Sequence, residues 1–271
     1  MLGDFMKRYL VLIISFLLII ISCIALYNDY CEDKNASGTY SSLSDIVEDS
    51  SENYEINIVD KSSDEYSSTD VVLEQESTEV LTILPKFEEL YTENNDLVGW
   101  IYDNNLINYP IMQCEEDSNF YLHKDFYKNE SKEGSIYIPN DITIDDKLVM
   151  IYGHNMKNNS MFGSLDYYLD ETYFNEHKYI ELSSLYNDKR YEVLAVFVSK
   201  VFPDDYQGFK YYDYRGNITE DEFNVYKSEI RPLIKIGNID SLSYNDNIIE
   251  LITCWYSEKD ARLVVLCKEI L

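Results

Sequence analysis

Cys254 closes an apolar run, Ile248–Cys254 (IIELITC), and Arg262 opens another, Arg262–Lys268 (RLVVLCK). The seven residues between them, Trp255–Ala261, suit a hairpin. If that hairpin is symmetric, 254 and 262 face each other, with Cβ atoms about 4.5–5.5 Å apart. A guanidinium there lowers a thiol pKa from its free value of about 8.5. It also presents a fork of donors to an oxyanion. A third group comes from Lys147–Tyr152 (KLVMIY), which stops abruptly at Gly153-His154-Asn155. A turn at a strand end leaves the His154 imidazole at a sheet rim, where it can exchange protons near neutral pH. Thiol, imidazole and guanidinium together are the parts of nucleophilic acyl transfer. The plainer alternative, a buried cysteine near a surface arginine and a structural histidine, stays open on these residues alone.

The remaining candidates read differently. His123 (YLHKDF) and His177 (FNEHKY) sit among charges and aromatics, as solvated or partly packed residues do. Cys114 and Cys267 each follow an apolar strand and read as buried. Cys23 and Cys31 fall in the N-terminal segments. With five Cys, no C-x-x-C pair and three His, the sequence argues against a Cys/His structural zinc site.

Several elements must position such a site. Short β-type runs occur at Leu97–Tyr102, Leu106–Met112, Gly134–Ile138, Lys147–Tyr152, Lys178–Leu182, Tyr191–Lys200, Ile248–Cys254 and Arg262–Lys268. Eight short strands with irregular connections imply a mainly antiparallel barrel or sandwich. Pro85 fits the first turn of a helix that turns Phe87, Leu90 and Tyr91 to one side. In the long connection 201–247, Thr219 and Glu222 form a capping box ahead of Phe223, Tyr226 and Ile230. Pro232 should end that helix.

The chain has 271 residues and a net charge of −28, which argues against a nucleic-acid partner. Tyr9–Tyr27 is uncharged, long enough to cross a bilayer core of roughly 30 Å as a helix. Lys7 and Arg8 precede it and Asp29, Glu32 and Asp33 follow. That asymmetry puts residues 1–8 in the cytoplasm, 9–27 in the membrane as a signal-anchor, and the rest outside. The alternative of a cleaved signal peptide finds no convincing A-x-A site here, and a lipoprotein variant stays open because Ile20-Ile21-Ser22-Cys23 loosely resembles a lipobox. Residues 28–77 hold 14 acidic residues against 2 basic ones, with 11 Ser. By composition this is a disordered, self-repelling stalk, which leaves 78–271 as the folded domain.

The pattern Tyr152-Gly153-His154-Asn155-Met156, then Thr253-Cys254, then Arg262 eight residues on, resembles a sortase. So do Asn95-Asp96-Leu97-Val98-Gly99-Trp100-Ile101, Asn108-Tyr109-Pro110-Ile111 and Phe120-Tyr121-Leu122. The likeness covers roughly residues 85–271. The helix in 201–247 and the helix before the first strand resemble class B in particular, and no Asp-Pro-aromatic lid motif of class C precedes them. Ile252 stands two before Cys254, where some class B relatives carry Ser. The resemblance implies a mainly β fold, the sortase eight-stranded β-barrel. It implies a membrane-bound cysteine transpeptidase with its domain extracellular and no cofactor or metal. Cys254 would attack the Thr carbonyl of a C-terminal sorting motif on a surface protein, His154 would move the proton, and Arg262 would hold the oxyanion. An amine of peptidoglycan or its lipid-linked precursor would resolve the thioester. Tyr152 and Leu122 would line the peptide groove, or else pack in the core. Two other classes compete with this reading. A papain-like protease places Cys before His, the reverse of the order here. A non-catalytic binding module on the same barrel would not need all three groups.

Overall fold

The computed structural model describes residues 2–61, 81–103 and 106–270. By internal packing it divides into Met1–Thr39 and Tyr40–Leu271. A first helix, α1 (Leu2–Lys61), contains the apolar run and is long and apolar enough to cross a membrane. It also continues through the acidic segment. The disorder expected for 28–77 is therefore not what 28–61 shows, while 62–77 lie outside the described residues. The reason is local. Tyr40, Leu43, Ile46 and Val47 recur at helical spacing and pack against the core, Tyr40 at 4% exposure and Leu43 at 0%. A composition averaged over 50 residues hides that stripe.

Helix α2 (Pro85–Glu93) starts on its proline, buries Phe87 and Leu90, and leads into β1 (Leu97–Tyr102) and β2 (Asn108–Met112). Then come β3 (Ile136–Tyr137), β4 (Leu148–Tyr152), α3 (Glu171–Glu176), β5 (Tyr179–Ser184) and β6 (Asp188–Lys200). Helix α4 (Glu220–Ile230) begins at the expected capping box, buries Phe223, Tyr226 and Ile230, and stops before Pro232. β7 (Ile234–Gly237), β8 (Ile248–Trp255) and β9 (Ala261–Glu269) complete the order.

The sheet runs β5-β1-β2-β3-β4-β8-β9-β6, and β5 also pairs with β6, so eight strands close on themselves. The expected barrel is present. β7, which the sequence reading omitted, joins outside the ring as a partner of β6. Its four residues alternate in burial, too short a run to be seen amid the long connection. Most pairs are antiparallel; β2–β3 and β4–β8 are parallel.

Buried where α4 packs on β8 sits Glu250, at 0% exposure. Its Oε1 accepts from the Tyr226 hydroxyl of α4, and its Oε2 has no hydrogen-bond partner among the described residues. Burial pushes this carboxyl up to about 8, against the opposing pull of the Tyr226 bond. Unfolded, a glutamate titrates near 4.3. Between those values the folded state binds the extra proton, so stability falls as pH rises through that window. The slope is at most about 1.4 kcal/mol per pH unit. Glu250→Gln keeps the acceptor and removes the titration. Its melting temperature is expected to stay flat from pH 5 to 8 where the parent declines, and a parallel decline in both would refute this account.

Candidate active site

Topology decides what can meet. β4 and β8 are parallel, paired from Leu148↔Ile248 to Tyr152↔Ile252, so both end at the same barrel edge. β9 is antiparallel to β8 and therefore begins there. His154 follows β4, Cys254 lies at the end of β8 and Arg262 at the start of β9, so the three groups share one rim. The expected hairpin register holds, with Cys254 directly opposite Arg262. Both are partly exposed, as is His154.

Short bonds fasten this rim. The Gly153 amide donates to the Ile252 carbonyl at 3.1 Å, and the Thr253 hydroxyl to the Gly153 carbonyl at 2.8 Å. Residue 153 has no room for a side chain, since a Cβ would lie 2.4 Å from Ile136 Cδ1 and 2.8 Å from the Phe162 ring. Asn155 Nδ2 donates to the Cys254 carbonyl at 2.9 Å and to Asp166 Oδ1 at 3.0 Å. This asparagine was quoted only as part of a motif; its tie to the cysteine strand was not legible from spacing.

The His154 ring is fixed from the other side. Its Nε2 lies 2.8 Å from the Leu122 carbonyl. A carbonyl only accepts, so the neutral ring carries its proton on Nε2 and keeps a lone pair on Nδ1. Burial lowers the His154 pKa; the Leu122 bond opposes this and nearby His123 adds to it. His123, which the sequence presents as solvated or partly packed, is exposed and stacks on His154 with centroids 5.8 Å apart. His177 stacks instead on Tyr173 at 4.0 Å, away from this edge. Cys114 and Cys267 are buried, as expected, and burial pushes the Cys267 thiol far up.

A groove of about 350 Å³ ends at His154, Cys254 and Arg262. Leu122 and Tyr152 line it. Tyr152 stacks on Tyr137 with centroids 5.7 Å apart, making an aromatic floor continued by Ile252. Burial pushes the Tyr137 phenol up to about 12, with Arg262 lowering it and Cys254 raising it. The opposite wall comes from the connection after β6. It includes Tyr211, Tyr212 and Arg215, which sequence reasoning did not select. Arg215 is held by Asp141 Oδ2 at 2.9 Å from Nε and 2.5 Å from Nη2, and by the Tyr212 carbonyl. Only tertiary closure brings that wall to the groove.

A closed β-barrel that gathers a thiol, an imidazole and a guanidinium at the end of a peptide-sized groove is built for cysteine-based acyl transfer. Comparison with known proteins agrees. The sortase domain model matches residues 105–270. Sortase B of Listeria monocytogenes is 32% identical over 179 residues, 65% of this chain and 69% of the relative. Sortase B of Staphylococcus aureus is 29% identical over 194 residues, 69% and 76% respectively. The fold matches a Staphylococcus aureus sortase B–substrate complex with TM-score 0.67 at 24% identity, covering 89% of this chain and 98% of that one. The chain belongs to the sortase family and groups with class B. It is a cysteine transpeptidase of the kind that anchors surface proteins.

Proposed function

We propose that Cys254, His154 and Arg262 carry the transpeptidation, with a C-terminal sorting motif as acyl donor and a peptidoglycan-type amine as acceptor. The observation that carries this reading is their meeting at one rim, set by the parallel β4–β8 pair and the Cys254↔Arg262 register. The Cys254 thiol gives its proton to Nδ1 of His154, and the sulfur attacks the carbonyl carbon of the motif's Thr. Arg262 donates to the oxyanion that forms. As that intermediate collapses, the C–N bond breaks, and the imidazolium protonates the departing amine. A thioester remains on Cys254. The acceptor amine then enters, loses a proton to His154, and displaces the sulfur to give a new amide. Leu122, Tyr137 and Tyr152 bind the motif's backbone and side chains in the groove.

Residues 9–27 act as a single-pass anchor, with the charge pattern favouring an external catalytic domain. The acceptor is then the cell-wall amine within reach of that surface.

The test is mass spectrometry of the full chain with a panel of sorting-motif peptides and a cell-wall-type amine. A mass adduct on Cys254, and product diverted to the amine in proportion to its concentration, are expected. Cys254→Ala should abolish both adduct and product. Cleavage by Cys254→Ala, or an amine that never competes with water, would overturn the assignment.

A further inference from the structure

The Leu122 carbonyl that fixes His154 is itself propped from behind. Gly134 adopts φ +58°, and a Cβ there would lie 2.4 Å from Leu122 O, so backbone packs directly on backbone at this point. The next amide, Ser135, donates to the Tyr121 carbonyl at 2.9 Å, and the Ser135 hydroxyl to the Lys124 carbonyl at 2.8 Å. The 134–135 segment thus brackets Leu122 on both sides along the chain. What holds that segment is Tyr40 of α1, whose hydroxyl donates to the Gly134 carbonyl at 2.6 Å and lies 3.1 Å from Ser135 Oγ.

A second route leaves the same side chain. The Tyr40 ring meets Tyr109 edge-on, with centroids 5.4 Å apart. The Tyr109 hydroxyl accepts from the Met161 amide at 3.1 Å, and Met161 bridges to Asn155. The Phe162 amide closes this route on the His154 carbonyl at 2.9 Å. One buried tyrosine therefore supports His154 at its ring through Leu122 and at its backbone through Met161 and Phe162.

We infer that the Tyr40–Val47 stretch of α1 is a positioning element for the site, with Tyr40 clamping Gly134 against Leu122 and so holding His154 in its Nε2–H form. The inference rests on the role given to His154 above. Its chemical content is specific. If the Leu122 carbonyl drifts away, the neutral ring is free to move its proton to Nδ1. That form has no lone pair at Nδ1 to receive the Cys254 proton. Leu43, fully buried one turn along, keeps the helix seated so that Tyr40 reaches its partner.

The readout is the His154 tautomer, by nitrogen NMR of the full chain in detergent micelles with labelled histidine. Only three His are present, so single replacement of His123 and His177 assigns the signals. In the parent the Nε2–H form should dominate. Tyr40→Phe deletes one buried hydrogen bond, and the ratio of Nε2–H to Nδ1–H is expected to fall roughly five-fold. Leu43→Asp should unseat the stretch and lower the ratio at least as far. Ile180→Val, buried on β5, serves as the control. It should lower the melting temperature without moving the ratio. A parent-like ratio in Tyr40→Phe and Leu43→Asp would overturn the inference. A change in Leu43→Asp alone would also overturn it, because the clamp would not run through the Tyr40 hydroxyl. Normal turnover by His154→Ala would instead remove the catalytic assignment and leave the tautomer result standing.

Discussion

His154→Ala is expected to slow both formation of the Cys254 thioester and its aminolysis, each by roughly 100- to 10,000-fold. Both steps need a proton moved at the same nitrogen, so neither half-reaction should be spared. The ring is partly exposed at the barrel rim, so its loss leaves the core intact and the melting temperature close to the parent's. Single-turnover acylation and aminolysis, followed separately, measure the two effects. The same experiment across pH reads the environment of the ring. Burial sets the His154 pKa below its ordinary value and the neighbouring His123 lowers it further, so the limb it governs lies below about 6.5. His123→Gln removes a positive neighbour and should shift that limb upward. A His154→Ala enzyme within ten-fold of the parent in both steps would sink the assignment.

Arg262→Lys should cost on the order of 100- to 1000-fold in rate, the typical loss of one oxyanion donor. Charge is conserved in this replacement, but the planar fork is not. The register makes the geometry demanding, because Arg262 stands directly across from Cys254, the proposed nucleophile, on the neighbouring strand. A lysine on the same strand position offers a point charge on a flexible stem and cannot present two parallel donors. Peptide turnover at saturating substrate is the measurement. Near-normal turnover would mean that only a general positive charge is needed there.

Much of this was legible because it is local. The hairpin register follows from two apolar runs and a symmetric loop, and the Cys254↔Arg262 pairing emerged from that count. The capping box at Thr219 and Glu222, and Pro232 after the last turn, bounded α4 by rules of adjacent residues. The edge that unites His154 with Cys254 was a different matter. Nothing in KLVMIY or IIELITC announces that these strands lie parallel and side by side; the family resemblance implied only that their end residues act together, and the β4–β8 register shows how they are brought to one edge. The far groove wall, Tyr211 to Arg215, comes from a loop with no motif, placed only when the barrel closes. The helical character of 28–61 was missed for the opposite reason. Its signal was four apolar residues diluted by many acidic ones.

The parallel β4–β8 pair has a consequence for how the enzyme comes into being. Its partners, such as Leu148 and Ile248, are separated by a hundred residues of chain. The proposed nucleophile, Cys254, and Arg262 sit on β8 and β9, well after β4 in the chain. A growing chain therefore carries His154 for a hundred residues before Cys254 is made. A chain folded only over its first 200 residues lacks the thiol proposed to react. On that assignment, reactivity waits for the β8–β9 hairpin, which lies between β4 and β6 and closes the ring.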